Sequence, residues 1–531
     1  MNKIFLEQTR KIKKETLRFK NSKKALKNNK NFFLETDNLY FDYSRNIVDK
    51  KTLSELLKLA NIIDIKNSYK KLINGYQINT SEQRKVLHPA LRSVTKSLDK
   101  SIIKNIDNHK KILKKISNDV RSGKKKSFSR KKFTDIVSVG TGGSYFGIKA
   151  VYEGLKNYSS KKINLHFISN LDFTENKDLL SSLDPEKTLF IVVSKSFKTI
   201  ETIENIKKIK YWLNKDFNGK NIMGNFLAVT ENEAEALKLG ICSDNIIKIW
   251  EWIGGRYSIW SGVSIGLIIS IGFSNFSKFL KGAENADAHF YKNKYSVNIP
   301  VIMALLSYYY TSFFGTQSHL ILPYNFRLRF LHDHIQQVEM ESNGKSLDIF
   351  GKDIFSKSGN IVWGGSGSCS QHSFYQLLHQ GNLLIPADFI ISKRTDSGSQ
   401  DNHNMLFSNF LSHLEILNKG FSESQAKELY EKKFSNLGLD KNLVIKNLIL
   451  LGNKPANAIL LNELSPESLG ELLAFYEHKT YVLGLLYGIN SFDQWAVEIG
   501  KIKAKEIYQD IKLAKNKNKK INNETIKKYL S

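Results

Sequence analysis

Several stretches within the first 121 residues carry apolar positions at helical spacing, and the rhythm then changes. Residues 1–30 are Lys-rich and weakly amphipathic, and they read as an exposed helix. From Asn38 the pattern tightens, and Leu53, Leu56, Leu57 and Leu59 form a helical stripe. Residues 78–92 also read as helix, with Ser81 as candidate N-cap and His88 as a structural histidine. Residues 122–132, basic and containing Gly and Ser, form a connector.

Beyond that connector the chain alternates strand, glycine turn and helix. A β-branched strand over 135–139 runs into Gly140-Thr-Gly-Gly-Ser144 and a helix over 146–155. Further strands are predicted over 165–168 and 188–193. The latter ends at Ser194-Lys-Ser-Phe-Lys-Thr199, before a helix over 200–213. Residues 253–258 open a buried helix that reaches Phe273. Strands follow over 320–324, 360–363, 383–391 and 457–464. Helices are predicted over 334–345, from near His372 to Gly381, over 465–488, and from Ser491 onward. Strands that alternate with helices predict parallel, doubly wound sheets.

The length of 531 residues suits two domains with extensions, and 41% hydrophobic content supports real cores. Cys242 and Cys369 make neither a zinc set nor a disulfide framework, which fits a reducing cytoplasm. The amino end lacks the apolar core of a secretory signal, and residues 259–273 are too short and interrupted for a membrane span. The net charge of +29 is carried by lysines spread along the chain, together with many Asn and Ile. That joint rise reads as a nucleotide bias. The basic stretch Lys124-Lys-Lys126, Arg130-Lys-Lys132 and the basic tail raise nucleic-acid binding as the alternative, but no nucleic-acid motif accompanies them. A diffuse positive field would still attract an anionic metabolite.

Both turns, at 140–144 and 194–199, sit at the carboxyl ends of predicted parallel strands, where such sheets bind ligands. Backbone N–H groups at a helix start, with the hydroxyls of Ser144, Ser194, Ser196 and Thr199, would hold a phosphate. A dinucleotide fingerprint fails because Tyr145 occupies its third glycine position. Arg256 precedes an apolar helix and needs an anionic partner. Gln337 and Glu341 are four apart and share a helix face, so a carboxylate and an amide point the same way. His372 follows the glycine-rich 364–370 turn, which suits a ligand contact, whereas His379 reads as structural. Gln494 and Lys501 share a face of the last helix. His332, His334 and Glu339 mimic a cupin metal spacing, but the local pattern is helical where a cupin needs strands.

Taken together, VSVGTGGSYFG, SKSFKTIET, GGRYSIWS, QQVEMESNGK, QHSFYQLLHQG, YEHK and NSFDQWAVEIGK resemble the glucose-6-phosphate isomerase family, in order, from about Asp42 to Lys501. The resemblance implies an α/β fold of two doubly wound sugar-isomerase (SIS-type) domains with mostly parallel sheets and helical extensions. The segments it suggests are a helical amino-terminal extension packed on the second domain (1–121), a first domain (122–275), a second domain (276–501) and a basic helical arm (502–531). It implies that Gly143, Ser144, Ser194, Lys195, Ser196 and Thr199 bind the sugar phosphate, and that Gln337 and Gln494 contact its hydroxyls. Glu341 would shuttle a proton between C2 and C1, Arg256 would stabilise the enediolate, and His372 and Lys501 would open the ring. It also implies a cytoplasmic homodimer with His372 donated across the interface, no metal and no redox cofactor, and no nucleic-acid or membrane partner.

Elementary chemistry agrees with that set. Aldose–ketose exchange needs a base beside a carbonyl, and the developing oxyanion needs a cation that keeps its proton. The sequence departs from the family at Gly367-Ser-Cys-Ser-Gln-His372, where Gly-Thr-Asn-Gly-Gln-His is common. It departs again at Lys198, and at Ala496 in place of a common Gly. A non-catalytic phosphosugar-binding regulator is the alternative function, and a related isomerase that also takes mannose 6-phosphate is a narrower one.

Overall fold

The computed structural model describes residues 3–20, 31–93, 97–217, 220–354, 357–395, 398–515 and 523–530. Two compact units are distinguished, Met1–Ser491 and Phe492–Ser531. Among the described residues the first unit holds eleven strands. These are β1 (Phe33–Glu35), β2 (Leu39–Arg45), β3 (Asp135–Val139), β4 (Asn164–Ile168), β5 (Thr188–Val193) and β6 (Phe226–Thr230), then β7 (Ile246–Lys248), β8 (Ser318–Pro323), β9 (Ile361–Gly364), β10 (Ala387–Ser392) and β11 (Ala456–Leu461).

One sheet is five-stranded, in the order β4-β3-β5-β6-β7, and all of its pairings are parallel. The other is six-stranded, in the order β1-β2-β11-β10-β8-β9; β8 to β11 pair in parallel, while β1 and β2 add an antiparallel edge. The expected α/β class with mostly parallel sheets therefore holds. β5, TLFIVV, and β10, ADFIIS, are buried on both faces, as the centre of a helix-covered sheet requires. The Pro466–Tyr487 helix is buried along nearly its whole length, so it has no polar face, and its buried charges, such as Glu477 and Lys479, are paired.

Several local expectations are corrected. The first helix, Lys3–Lys20, is not fully exposed: Phe5, Gln8, Ile12 and Thr16 form a buried face. Gln8 Nε2 donates to the backbone carbonyl and the carboxylate of Glu55 on the Lys50–Ile62 helix, each at 2.8 Å. Residues 21–30 of that expectation lie outside the described residues. The amino-terminal extension is also not purely helical, because β1 and β2 join the six-stranded sheet. Leu39, Phe41 and Tyr43 are buried in alternation, a period of two.

Residues 78–92 are a turn rather than a helix. Asn79 bridges to Arg84, Gln83 adopts φ +53°, and only His88–Leu91 coil into a 3₁₀ turn. Pro89 lacks the N–H that a helix through this stretch would use. The predicted helix over 253–273 is instead two 3₁₀ turns, Gly255–Trp260 and Gly262–Ser264, followed by the Ile265–Ile271 helix. The hydroxyls of Ser261 and Ser264 bond the carbonyls of Ser258 and Ile259, at 2.7 and 2.6 Å, and so compete with the α-helical pattern. The helix expected from near His372 starts at Tyr375, after a single turn over Gly367–Ser370. The short strands β6 and β7 were not anticipated.

In the second unit Trp495–Lys515 and Glu524–Leu530 are helical, and part of the basic tail between them lies outside the described residues.

Candidate active site

The two hydroxyl-rich turns leave neighbouring strands. β3 and β5 are parallel and in register, with Val139 opposite Val192, so residues 140–144 and 194–199 emerge side by side. Ser144 caps a short turn, its N–H donating to the Thr141 carbonyl at 3.0 Å. Ser194 Oγ and Thr199 Oγ1 lie 3.3 Å apart, and Phe197 between them is buried at φ +55°. That left-handed residue reverses the loop so that both hydroxyls face each other. Ser196 is exposed, and its Oγ accepts from the Lys198 N–H at 3.3 Å. Lys195 is turned onto the backbone: its Nζ donates to the carbonyls of Glu251 at 2.6 Å and Ile253 at 3.2 Å. Burial lowers the pKa of this ammonium, and its bonds tie the second turn to the segment just before Arg256.

Gly143 joins the first turn to that same segment. A Cβ there would lie 2.1 Å from the Gly255 carbonyl oxygen and 2.8 Å from the Arg256 nitrogen. Only glycine allows the two backbones to approach so closely. Ser258 Oγ donates to the Gly143 carbonyl at 3.3 Å and closes the contact.

Arg256 sits in the Gly255–Trp260 turn and its side chain is 1% exposed. Its Nε donates to Ser342 Oγ at 2.6 Å, and its Nη2 donates to the Ser491 carbonyl at 2.7 Å. Its Nη1 lies 3.4 Å from Glu341 Oε2. Ser491 reaches this position because the facing helix carries Gly484; a Cβ there would come within 1.9 Å of Ser491 Oγ. Ser491 Oγ in turn donates to Asn343 at 2.8 Å.

Glu341 and Gln337 occupy one face of the Leu331–Asn343 helix, as their spacing predicts. This helix follows β8. Gln336 Nε2 donates to the Val362 carbonyl of β9 at 2.7 Å and fixes the helix rotation. The Glu341 side chain is 22% exposed, open to a ligand although paired with a buried cation. Gln337 Nε2 donates to Glu341 Oε2 at 3.3 Å, whereas Gln337 Oε1 is buried with no hydrogen-bond partner among the described residues. An atom added as Cβ at Gly142 would lie 3.4 Å from Gln337 Nε2, so the first turn and the carboxylate helix meet here.

The structure therefore brings together Gly143, Arg256, Gln337 and Glu341, with the 194–199 turn alongside. His372 is exposed, and its only described hydrogen bond runs from its backbone N–H to the Cys369 carbonyl at 3.2 Å. Gln494 and Lys501 belong to the second unit, and Gln494 lies just before the Trp495–Lys515 helix rather than sharing a face of it with Lys501. There Lys501 is exposed and pairs with Glu498 at 2.6 Å along the Trp495–Lys515 helix. The metal-like triplet dissolves: Glu339 is buried against Lys479 Nζ at 2.8 Å, and His334 is buried in the helix. Ser342, Ser491 and Tyr257 hold Arg256 and were missed. The adjacency of Ser342 to Glu341 was the one available signal, because a residue next to a site carboxylate points to its flank.

A carboxylate lies beside a fixed guanidinium, with two hydroxyl-rich turns alongside, in an α/β frame of the phosphosugar-isomerase class. Residues 42–526 match the phosphoglucose isomerase family, and the chain belongs to that family. The family's activity is the aldose–ketose interconversion of glucose 6-phosphate and fructose 6-phosphate, a step of glycolysis and gluconeogenesis, and the chain is an enzyme of this kind. A glucose-6-phosphate isomerase of Francisella tularensis subsp. tularensis (strain FSC 198) is 39% identical, with 99% of this chain and 97% of that protein covered. One of Shewanella sp. (strain ANA-3) is 42% identical over 89% of this chain and 87% of that protein. The crystal structure of a glucose-6-phosphate isomerase from Chlamydia trachomatis D/UW-3/Cx superposes with a TM-score of 0.82 at 29% identity, covering 95% of this chain and 96% of that one. Among the described residues no helix is long and apolar enough to cross a membrane.

Proposed function

We propose that the interconversion runs through Glu341 as the single proton carrier, with Arg256 holding the oxyanion. The phosphate rests against Gly143 and Ser144 on one side and Ser194, Ser196 and Thr199 on the other. Lys195 shapes that second turn through its backbone bonds. Once the ring is open, the Glu341 carboxylate takes the C2 proton of the aldose. The electron pair moves toward O1 and gives an enediolate next to Arg256. Glu341 returns the proton to C1 as the O2 proton passes to O1 and the carbonyl re-forms at C2. Gln337, with a buried acceptor oxygen to satisfy, suits a sugar hydroxyl, and Gln494 supplies a second amide. His372 and Lys501 share the acid and base roles of ring opening. The exposed imidazole of His372 suits a homodimer in which His372 of the partner subunit completes the site, and a glycolytic step suits the cytoplasm.

The observation that carries this reading is the partly open carboxylate of Glu341, 3.4 Å from a guanidinium that the fold has already fixed. A preorganised cation beside a base is what enolisation requires, because charge develops where the donor already points. The test is conversion of fructose 6-phosphate to glucose 6-phosphate, followed through a coupled dehydrogenase. Glu341→Gln should lower kcat by about 10³-fold or more while sugar-phosphate binding persists, since a positioned general base contributes about 10²–10⁴. A Glu341→Gln protein with wild-type kcat would remove Glu341 from the mechanism. A folded wild type that binds sugar phosphate without turnover would favour the regulator.

A further inference from the structure

Behind Arg256 lies a buried polar cluster that the mechanism above does not use. Arg92 forks onto Asp287, with Nε and Nη2 each 2.9 Å from the carboxylate, and its Nη1 reaches Glu477 at 2.5 Å. The other Glu477 oxygen accepts from Trp260 Nε1 at 2.8 Å. The Arg92 guanidinium also lies over the Trp260 ring, 4.6 Å from its centroid. Trp260 is the last residue of the same 3₁₀ turn that presents Arg256. Nearer Arg256, Tyr257 Oη lies 2.8 Å from Ser342 Oγ, the atom that also accepts from Arg256 Nε. The Tyr257 ring stacks on buried His88 at 4.4 Å and 17°. The turn is thus clamped on both sides of the guanidinium.

Buried ion clusters of this kind add little to stability compared with apolar packing of the same volume. A cluster that reaches the Arg256 turn through Trp260, and again through His88, 3.8 Å from Glu477 and stacked on Tyr257, is better explained by geometry. We propose that Tyr257 and Trp260, tied through Ser342 and through the Arg92–Glu477 pair, are positioning residues for Arg256 and set its guanidinium for the enediolate. The proposal rests on the role given to Arg256 above. Neither residue touches substrate. Each should therefore act on kcat through Arg256 and leave phosphate binding alone.

The test pairs Tyr257→Phe and Trp260→Phe, each made in the wild type and in Arg256→Ala, with kcat and KM for fructose 6-phosphate and thermal melting measured for all. Tyr257→Phe keeps the ring stacked on His88 and removes only the hydroxyl. Trp260→Phe keeps an aromatic ring and removes the N–H. Each should lower kcat about 10-fold, with KM within about twofold, as a small misplacement of a catalytic group does. In the Arg256→Ala background neither should lower kcat further. Wild-type kcat in both single variants, or an undiminished kcat loss on top of Arg256→Ala, overturns the inference while leaving the Arg256 assignment intact. Wild-type kcat in Arg256→Ala itself would instead overturn that assignment, and the inference with it. Should Trp260→Phe melt early, Tyr257→Phe decides alone.

Discussion

Arg256 and His372 are both expected to meet the substrate, yet the fold surrounds them in opposite ways. Arg256 is buried, and its donors are shared among a hydroxyl, a carbonyl and a carboxylate before any ligand arrives. His372 stands exposed on a short segment between a glycine-rich turn and the Tyr375–Gln380 helix. The physical demands on the two groups differ. A guanidinium withdrawn from water must be satisfied by the protein, and its value to the transition state depends on needing no rearrangement. An imidazole that trades protons during ring opening gains from solvent access and can be supplied from a second subunit. On the proposed roles, the oxyanion-holding group is fixed internally and the ring-opening imidazole is presented outward.

Removing the guanidinium is the most forceful way to break the comparison. Arg256→Ala should lower kcat about 10²–10³-fold, the range for losing one preorganised oxyanion donor. It should also destabilise the fold by about 1–3 kcal/mol, because the Ser491 carbonyl is left buried without its donor. Coupled assay and urea unfolding would measure the two effects. A loss confined to activity would mean that the anchoring bonds do not matter to the fold.

His372→Ala is expected to cost about 10²-fold in turnover and less than about 0.5 kcal/mol of stability, as for an exposed side chain. Subunit mixing sharpens this. Glu341→Gln and His372→Ala, each nearly inactive, are unfolded and refolded together. If His372 crosses the interface, half of the dimers are mixed and one of the two sites in each carries both native residues. About a quarter of wild-type activity then returns, as symmetric dimers require. If His372 serves its own chain, each mixed site keeps one lesion and nothing returns.

A smaller effect is expected at the seam between the phosphate turn and the Arg256 segment. Gly143→Ala would force a Cβ against the Gly255 carbonyl at 2.1 Å. The backbones must separate, so kcat/KM should fall about 10–100-fold, the scale of a 1 Å misplacement. An unchanged kcat/KM would show that the turn can yield without moving Arg256.

What the sequence revealed follows from which interactions are local. The strand–turn–helix units around residues 140 and 194, and the shared face of Gln337 and Glu341, depend on neighbours within a few positions, and the structure keeps them. Missed features depended on distant partners. The Ser491 carbonyl meets Arg256 across 235 positions, and no periodicity reports such a contact. β1 and β2 were obscured differently: the alternation of Leu39, Phe41 and Tyr43 was present, but the stronger leucine stripe that follows drew the segment into a helical reading. In residues 78–92 the apolar spacing reads as helix, while Pro89 breaks it. The shared helix face expected of Gln494 and Lys501 fails because the helix begins at Trp495.

The last prediction concerns the joint between the first hydroxyl-rich turn and the Glu341 helix. His334 lies on the Glu341 helix, and its ring packs over Gly147 of the Phe146–Gly154 helix behind the first phosphate turn. Neither ring nitrogen has a hydrogen-bond partner among the described residues, and burial lowers its pKa to about 4. In the unfolded chain the value is about 6.5. The folded state thus prefers neutral His334, and the unfolded state binds more protons between these values. Its stabilising contribution is complete above about pH 6.5 and is lost as pH falls through about 4. Between pH 7.5 and 5 the loss is about 2 kcal/mol, from a shift of about 2.5 units at about 1.4 kcal/mol each, not yet complete at pH 5. His334→Phe removes the titration and keeps an aromatic ring of similar shape. Urea unfolding at the two pH values should therefore show wild type losing about 2 kcal/mol more than the variant. Other histidines whose pKa burial lowers, such as His109 and His289, titrate equally in both proteins and cancel in the difference. Equal losses would mean that His334 finds a proton acceptor or water on acidification, and that the joint between the phosphate turn and the carboxylate helix is looser than its packing implies.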